Sequence, residues 1–474
     1  MSGFLFVVPP LVGHINPTVG VASRLAAHGH RVAWACADPG LVGRLAGARA
    51  RVFPCAGPVP GAGEARRPPE LRGPEALRFL WEWYLVPLAE AMAPGVRAAV
   101  EEFRPDVVVA DQQAFAGALV AERLGLPWAT SATTSAEFAD PLAGLPKVTE
   151  WLAERIAHLR RAVGDPSADA DPRFSPHLVL AFSTPELAGP EAAGRGGPVR
   201  WVGPSIEARP TASGFPWEWL DPGRSTVLVT LGTANADAGA RFLAACREAA
   251  RERADRMQAV IVDPGGVLGA DGDPGSGPGP RGDADSSPGP LGDAGSGLGP
   301  RGDAGSGLGA EGAPRKGLGG DGDPQSGLGA DGNPTDGLCA DSNPTNGLGG
   351  NGHDKDVLVL PSVPQLALLQ RAAAVVCHAG HNTVCEALWH GVPLVVAPIR
   401  DDQPVVAGQV VDAGAGLRVR FGRVSAARLG AALDSVLHEP GHRAAAGRIR
   451  TAFRAAGGAS AAATHLDRLA REFR

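Results

Sequence analysis

His14 and Asp111 are the two residues of this sequence whose types best suit general-base chemistry. His14 follows the apolar stretch 4–8, and an imidazole with an ordinary pKa of about 6.5 can accept a proton at neutral pH. Asp111 follows a second apolar stretch, where a carboxylate can hold the far ring nitrogen of a histidine and stabilise the imidazolium. A solvated loop histidine and a helix N-cap are the alternatives. The pair can act together only if both stretches are strands of one sheet.

A second group of residues is typical of a phosphate-binding site. The run His-Ala-Gly-His-Asn-Thr at 378–383 combines a turn of small residues with a predicted helix start, so backbone N–H groups can approach an anion. Glu386 follows one helical turn later, where it can hold a ribose hydroxyl or form a capping box with Thr383. Gly232 and Thr233, after another apolar stretch, can donate to the same phosphates or form only a turn.

Two common nucleotide-binding motifs do not follow any of the predicted strands. Neither G-x-G-x-x-G nor G-x-x-x-x-G-K followed by Ser or Thr comes after any of the predicted strands. Because both motifs bind phosphate only between a strand and a helix, a Rossmann dehydrogenase and a P-loop ATPase are disfavoured.

Strand and helix patterns alternate in both halves of the chain. The first helix is predicted at 17–28, with Asn16 as N-cap, Pro17 in the first helical position and Gly29 past its end. Near-continuous apolar strands between helices indicate parallel sheets covered on both faces. The predicted strands are 4–8, 31–35, 106–110, 226–231, 258–262, 356–360, 374–377, 393–397 and 416–420. We therefore predict an α/β protein of two doubly wound domains that face each other.

One segment has an abnormal composition. The chain has 66 Gly and 43 Pro, and 30 of the Gly lie in 264–353, where a ten-residue repeat fills 268–347. With few Leu and no aromatics, this segment cannot bury enough apolar surface to offset an ordering entropy of about 1–2 kcal/mol per residue. We predict a disordered Gly/Pro/Asp-rich insertion in the C-terminal domain. A calcium-binding β-roll is the alternative, although such repeats run about nine residues.

The remaining composition is that of an ordinary globular protein. Hydrophobic residues make up 44% of the chain and charged residues 20%, and no apolar run reaches the roughly 18 residues of a membrane span. The six Cys include no CxxC pair, so we expect reduced thiols and a cytoplasmic location. The stretch 4–8 has no basic region before it, so it is interpreted as a buried strand and not as a signal peptide.

An ordered series of motifs resembles the UDP-glycosyltransferase-like family. The series is Gly13-His14 with Pro17, Val363-Pro364-Gln365, the run 378–383, Glu386, Gly391-Val392-Pro393, Pro398 and Asp402-Gln403. It covers almost all of the chain outside the insertion, and it is most similar to bacterial natural-product and antibiotic glycosyltransferases. The resemblance implies the GT-B fold, in which two Rossmann-like domains face each other, and an inverting sugar transfer.

By matching position, the resemblance also implies roles for single residues. His14 would be the general base that deprotonates the acceptor hydroxyl, with Asp111 as its partner. His378 and the 382–383 region would stabilise the departing diphosphate, Glu386 would hold the ribose, and Asp402 and Gln403 would hold sugar hydroxyls. The full predicted donor site is Gly232, Thr233, Val363, His378, Gly380, Asn382, Thr383, Glu386, Asp402 and Gln403. No metal or other cofactor is expected.

The aromatic stretch 77–86 predicts where the acceptor binds. Trp81 and Tyr84 would line a pocket for a large apolar ligand. Plain core is one alternative, and contact with a membrane surface is another, which the lack of a neighbouring Lys/Arg cluster disfavours. Ser362 stands where this family often has an aromatic against the nucleotide base, so the nucleotide stays open between UDP and dTDP.

We therefore expect a cytoplasmic hexosyltransferase that moves a hexose or deoxyhexose from a UDP- or dTDP-sugar to a hydroxyl of a hydrophobic natural-product aglycone. Contact with nucleic acid or insertion into a membrane is not expected, and the chain would be a monomer or a weak homodimer. The rival functions are a nucleotide-sugar epimerase of the same fold, a lipid-acceptor glycosyltransferase and a non-catalytic auxiliary protein. The sequence leaves open the sugar, the aglycone and whether O, N or C is glycosylated.

The predicted organisation follows from the element pattern and the composition. It comprises an acceptor domain at 1–205, a linker at 206–223, a donor domain at 224–263 and 354–455, the insertion at 264–353 and a C-terminal helix at 456–474.

Overall fold

Two parallel β-sheets carry the residues of interest. The computed structural model describes residues 1–59, 71, 73–139, 144–193, 198–206, 214–232, 239–269 and 355–474. Within these ranges the first sheet has the strand order β3-β2-β1-β4-β5-β6-β7, and the second has the order β10-β9-β8-β11-β12-β13. All strand pairs are parallel. The predicted α/β class with two doubly wound domains is confirmed.

The first sheet places the ends of β1 and β4 side by side. Its strands are β1 Gly3–Val7, β2 Arg31–Cys36, β3 Val52–Pro54, β4 Val107–Asp111, β5 Trp128–Ala132, β6 Leu178–Ala181 and β7 Val199–Trp201. The helices around it are α1 Val12–Ala27, α2 Pro39–Ala46, α3 Gly73–Leu80, α4 Val86–Phe103, α5 Phe115–Arg123, α6 Pro146–Ala162, α7 Pro185–Ala188 and α8 Pro190–Ala193. A π-helical turn, Trp81–Leu85, joins α3 to α4, and a 3₁₀ turn, Ala136–Ala139, follows β5.

The second sheet is built in the same way. Its strands are β8 Ser225–Thr230, β9 Met257–Val262, β10 Val357–Leu360, β11 Ala372–Cys377, β12 Leu394–Val396 and β13 Gly416–Arg418. The remaining helices are α9 Ala240–Arg251, α10 Gln365–Leu369, α11 His381–Trp389, α12 Gln403–Asp412, α13 Ala426–His438, α14 Pro440–Ala456 and α15 Gly458–Glu472, with a 3₁₀ turn at Trp217–Trp219. Within the described ranges, no helix is long and apolar enough to cross a membrane.

The predicted start of the first helix is wrong. Helix α1 begins at Val12, with Leu11 in the N-cap position, so Asn16 is not the cap and Pro17 lies inside the helix. A proline in a helix removes the hydrogen bond to the carbonyl four residues earlier, which here belongs to Gly13. The Asn382 side chain, from α11, donates Nδ2 to this Gly13 oxygen at 2.6 Å. The helix tolerates Pro17 because the carbonyl that the proline leaves unpaired has another donor.

The chain enters the predicted insertion between two neighbouring strands. Strands β9 and β10 pair directly, so the prediction that the insertion lies between consecutive strands is right. The first residues beyond β9 are packed: Asp263 accepts from the backbone N–H of Val267 at 3.0 Å and of Leu268 at 2.9 Å, and Leu268 is buried. The predicted segment therefore begins with ordered residues at 264–269. The rest of it, 270–353, lies outside the described residues.

Helix α15 belongs to the core of the first sheet although it ends the chain. Leu466, Leu469 and the small residues of this helix pack in one cluster with Phe4 and Phe6 of β1. This helix lies within the range 456–474 that was predicted for a C-terminal helix, and it packs on the first sheet. Alanine and glycine let it approach α1 closely, as expected for a helix with short side chains on its inner face.

Leu466→Ala should destabilise the protein by about 2–5 kcal/mol, because the side chain is fully buried and the cavity left behind cannot collapse completely. The midpoint of urea unfolding measures the effect. Arg468→Ala, an exposed change on the same helix, is the matched control and should shift the midpoint little. Equal shifts for both variants would contradict the packing of α15 as described.

The cysteines in the described ranges are free thiols. They are Cys36, Cys55, Cys246, Cys377 and Cys385, and all five are buried. Burial raises the pKa of the Cys36 thiol to about 11 and that of Cys377 to about 12, so these thiols stay protonated at neutral pH. They act as small apolar core residues.

Candidate active site

His14 and Asp111 meet at the edge of the first sheet. His14 lies in the first turn of α1, just after β1, and Asp111 is the last residue of β4, which pairs with β1. His14 Nδ1 lies 2.9 Å from Asp111 Oδ1, and Thr133 Oγ1 lies 2.8 Å from the same nitrogen. Asp111 also accepts from the backbone N–H of Gln113 at 2.8 Å. The carboxylate is therefore held in place from two sides.

This contact fixes the protonation of the His14 ring. Nδ1 faces an ionised carboxylate, so it carries the proton, and Nε2 is left as the nitrogen that can take up another. Burial lowers the pKa of His14, but the charge and hydrogen bond of Asp111, together with the charge of Asp402, outweigh burial and leave the pKa above its usual value. The positive end of the α1 dipole opposes protonation as well. Asp111 thus fixes the orientation of the His14 ring and stabilises its protonated form.

Thr133 is a site residue that the sequence analysis missed. It follows β5, whose sequence Trp-Ala-Thr-Ser-Ala lacks the apolar run that marked the other strands. Its hydroxyl donates to Asp111 Oδ2 at 3.2 Å. The rule that polar residues at strand ends form a site would have found Thr133 had β5 been recognised.

Asp111→Asn should move the pH dependence of activity. In the parent protein the neutral form of His14 appears only as the pH rises through its raised pKa, so kcat/KM should rise with pH there. Removing the charge leaves burial dominant, so the acid limb should shift to lower pH. The plateau should fall at least about tenfold, because the asparagine no longer fixes the tautomer. The pH profile of kcat/KM measures both changes.

The control for this change is Asp255→Asn, an exposed carboxylate far from the site. It should leave the profile unchanged. An Asp111→Asn profile with its acid limb in the parent position would show that Asp111 does not set the pKa of His14.

His378, at the end of β11, lies in a narrow slot between two glycines. A Cβ added to Gly232 would lie 2.8 Å from His378 Cε1, and one added to Gly380 would lie 2.7 Å from the same atom. His378 Nδ1 is buried and has no hydrogen-bond partner among the described residues. Burial lowers the pKa of His378 to about 4, so the ring is neutral at pH 7. A neutral imidazole in this position can donate one hydrogen bond to an anion.

The turn that follows His378 is strained. Ala379 has φ 63°, a left-handed conformation that is costly for a residue with a side chain. Gly380 is the N-cap of α11, and the helix begins at His381. Thr383 is therefore inside the helix, and the capping box of Thr383 with Glu386 is not formed. The strained turn directs the N-terminus of α11 toward the space beyond the strand ends, where an anion can bind.

The other predicted donor residues of the second domain differ in their burial and in the contacts that they make. Glu386 is almost fully buried and accepts from Gln365 Nε2 at 2.6 Å. Val363 is half-buried and packs against the apolar core below α11. Asn382 reaches the Gly13 carbonyl of the first domain. Thr233 lies outside the described residues.

Asp402 and Gln403 lie at the start of α12, beyond β12. Thr134, from the first domain, donates its hydroxyl to Asp402 Oδ2 at 2.7 Å. Burial raises the pKa of Asp402 to about 6. The Gln403 amide oxygen accepts from the backbone N–H groups of Ile399 and Arg400 at 2.9 and 3.0 Å, so it shapes the loop before the helix. The structure thus brings Asp402 to the first domain and uses the oxygen of Gln403 within its own loop.

Further polar contacts join the two domains beneath this site. Ser135 donates to Gln409 Oε1 at 2.6 Å, and its Oγ lies 3.3 Å from His381 Nδ1. His381 Nε2 lies 3.3 Å from the carbonyl of Phe182. Burial lowers the pKa of His381 to about 4, so this histidine is neutral at pH 7. His381 is a structural residue of the domain contact, although it lies in the predicted phosphate motif.

Two neighbouring cavities lie at this site, and His14 lines the smaller of them. The larger, about 320 Å³, is lined by α3 residues such as Leu77 and Leu80 and by Asp401 and Asp402 of the second domain. The smaller, about 40 Å³, is lined by His14, Leu77, Leu80 and Trp81. Because Leu77 and Leu80 line both, the two cavities are adjacent. Together they connect the base to a largely apolar wall, as expected for an acceptor pocket.

The two aromatic residues predicted for the acceptor have different places. Trp81 lies in the π-helical turn, lines the smaller cavity and packs against Phe115 with ring centroids 5.1 Å apart. Tyr84 packs on the core of the first domain, and its hydroxyl is buried without a hydrogen-bond partner among the described residues. Irregular helical turns of this kind are frequent at functional sites.

The chain is similar to known proteins in both sequence and structure. Residues 353–466 match the family model of the erythromycin biosynthesis protein CIII-like C-terminal domain. A spinosyn rhamnosyltransferase solved with thymidine diphosphate superposes with a TM-score of 0.63 at 19% identity, covering 98% of this chain and 100% of that one. The chain has the GT-B glycosyltransferase fold. The structural match thus covers both domains.

Curated relatives extend over the same length. A demethyllactenocin mycarosyltransferase of Streptomyces fradiae is 27% identical, with 99% of this chain and 87% of the relative aligned. The 4'-demethylrebeccamycin synthase of Lentzea aerocolonigenes is 28% identical, with 95% of each chain aligned. The predicted family resemblance and the predicted enzyme class, glycosyltransferase, are confirmed. Within the described part of this GT-B chain, no group of three or more His, Cys, Asp or Glu side chains could hold a metal ion.

Proposed function

We propose that the protein transfers a hexose or deoxyhexose from a UDP- or dTDP-sugar to a hydroxyl of a hydrophobic natural product, with inversion at the anomeric carbon. The observation that carries this proposal is the His14–Asp111 pair beside cavities that reach Asp402 of the second domain. A base from one domain and sugar-binding groups from the other are what a two-substrate transfer needs. The natural-product relatives support the acceptor class.

The proposed step is a direct displacement. His14 Nε2 takes the proton of the acceptor hydroxyl, and the oxygen lone pair forms the new bond to the anomeric carbon. The bond from that carbon to the diphosphate oxygen breaks, and its electron pair leaves with the nucleoside diphosphate. The imidazolium that results is stabilised by Asp111 at 2.9 Å.

The departing diphosphate would be bound at the start of α11. Neutral His378 can donate one hydrogen bond, and backbone N–H groups at the helix start can donate others. These groups would balance the charge that develops on the leaving oxygen, so the proposal assigns no metal and no other cofactor. One structural relative was solved with thymidine diphosphate, so dTDP-sugars are tested as donors beside UDP-sugars.

The proposal also covers the cellular location and the oligomeric state. Buried, unpaired thiols suit a reducing compartment, so we place the protein in the cytoplasm. We propose that it acts as a monomer or weak homodimer, because both halves of the proposed site come from one chain.

The test is an incubation of the purified chain with UDP- and dTDP-hexoses and a panel of polyketide and aromatic aglycones, followed by mass spectrometry. The expected product carries one added hexose, and release of nucleoside diphosphate depends on the aglycone. Conversion of the donor sugar to an epimer without an aglycone would instead favour an epimerase. No product and no donor turnover with any pair would favour a non-catalytic auxiliary protein.

A further inference from the structure

Gln112 is a buried polar residue beside the base that has no partner for its side chain. It follows Asp111 directly and is only 3% exposed. Neither its Nε2 nor its Oε1 has a hydrogen-bond partner among the described residues. Buried amides are almost always paired, because leaving one unpaired costs the hydrogen bonds that it would make in water. The unpaired amide of Gln112 beside His14 is therefore a candidate to contact a bound ligand.

The surroundings of Gln112 distinguish it from the other polar residues there. It lines the smaller cavity together with His14, Thr133, Glu137 and Arg173. These neighbours are satisfied: His14 and Thr133 contact Asp111, and Arg173 binds Glu137 at 2.7 Å. The apolar side of the same cavity is formed by Leu85, Trp81 and Phe115 among others. Gln112 therefore has an unused donor and an unused acceptor at the wall of a cavity that His14 also lines.

The size of the cavity limits what can reach both residues. About 40 Å³ holds only two to four groups of the size of a water molecule, each needing roughly 10–15 Å³. The body of a natural product must therefore lie in the larger cavity, and only its reacting end enters the smaller one. A group that contacts Gln112 and a hydroxyl that contacts His14 must then be on neighbouring atoms.

We propose that Gln112 is a specificity-determining residue that binds a second polar group of the acceptor, adjacent to the hydroxyl that receives the sugar. The acceptor class is a vicinal diol or a hydroxyl next to a carbonyl, since a primary amide can donate to either and can also accept from a second hydroxyl. The inference rests on the proposed transferase function. It goes further by naming the functional group that the acceptor carries.

The test replaces Gln112 by methionine, which keeps the length of the side chain and removes its polar atoms. Two acceptors on the same ring skeleton are compared, one with a vicinal diol and one with a single hydroxyl. For Gln112→Met we expect kcat/KM with the diol to fall about 10- to 100-fold, the usual range for losing a buried hydrogen-bonding contact to a substrate. With the mono-ol it should change less than about threefold, so the preference of the parent for the diol disappears.

Thermal unfolding separates this role from a structural one. Because the amide has no protein partner, Gln112→Met should keep or raise Tm, whereas loss of a structural amide would lower it. Gln370→Met, an exposed change outside the cavities, is the matched control and should alter neither acceptor preference nor Tm. Hydrolysis of the sugar donor without an acceptor should be the same in Gln370→Met and in the parent.

Each possible outcome decides one question. If the parent transfers sugar and Gln112→Met lowers both acceptors equally, or neither, the inference is wrong while the transferase proposal stands. A lowered Tm with an unchanged preference would assign Gln112 to the fold instead. If the parent transfers to no acceptor at all, the transferase proposal itself fails.

Discussion

Replacing His14 by alanine should reduce the rate of sugar transfer by about 10²–10⁴-fold, the range typical of a general base. The reason is geometric: Asp111 holds Nδ1 of His14, and the His14 ring lines the smaller cavity, where the proposed acceptor hydroxyl would lie. The reduction should be in kcat more than in KM, because the proton is transferred in the chemical step. Binding of the nucleoside diphosphate, measured by calorimetry, should change little.

His158→Ala is the matched control, since His158 is a half-exposed histidine that pairs only with Glu90 in the described contacts. It should keep parental activity. Transfer by His14→Ala at the parental rate would mean that another group takes the proton, and the role given to Asp111 would fall with it. Calorimetric binding of the nucleoside diphosphate reports separately whether the variant still binds its donor.

Gly380→Ala should lower the affinity for the nucleoside diphosphate at least about tenfold and kcat/KM by about 10²-fold, the scale of losing a positioned donor to a developing anion. The added Cβ would lie 2.7 Å from His378 Cε1, while Gly232 confines the ring on another side. The ring must therefore move, or the strained turn at Ala379 must open. Either change would remove His378 from the position in which it can face an anion.

Two further variants make this prediction specific. Gly447→Ala lies in α14 where an added Cβ meets no neighbour, so it should be neutral or slightly stabilising. If Gly380→Ala acts through His378, adding it to His378→Ala should cost little more than His378→Ala alone. Full additivity of the two changes would show that the glycine matters for another reason.

The positions of His14 and Asp111 could be predicted because both depend on local patterns. Apolar runs mark β1 and β4, and parallel strands bring their carboxyl ends to one edge. Thr133 was not predicted as a site residue because β5, which is rich in small and polar residues, was not recognised as a strand. The start of α1 was predicted wrongly because Pro17 usually marks a first helical position. Here Asn382, far away in the chain, hydrogen-bonds the carbonyl that Pro17 leaves unpaired inside the helix.

The motif at 378–383 predicted where the turn before a helix lies, but not which contacts its side chains make. The run 378–383 does form a turn at a helix start, yet His381 belongs to the domain contact and Asn382 reaches the first domain. Local periodicity carries no information about which side chains meet across the two sheets. Gln112 could not be found either, because a buried amide is recognised as unpaired only when all its neighbours are placed.

The return of α15 to the first sheet has a consequence for how the protein is made. Domains generally fold from the N-terminus as the ribosome releases them. Here Phe4 and Phe6 are covered by a helix that ends at Glu472, so the core around β1 is complete only after α15 has been synthesised. Nascent chains stalled before residue 458 should therefore expose an apolar face and recruit chaperones. Expressing residues 1–206 alone should give an aggregation-prone product, although that fragment holds both His14 and Asp111.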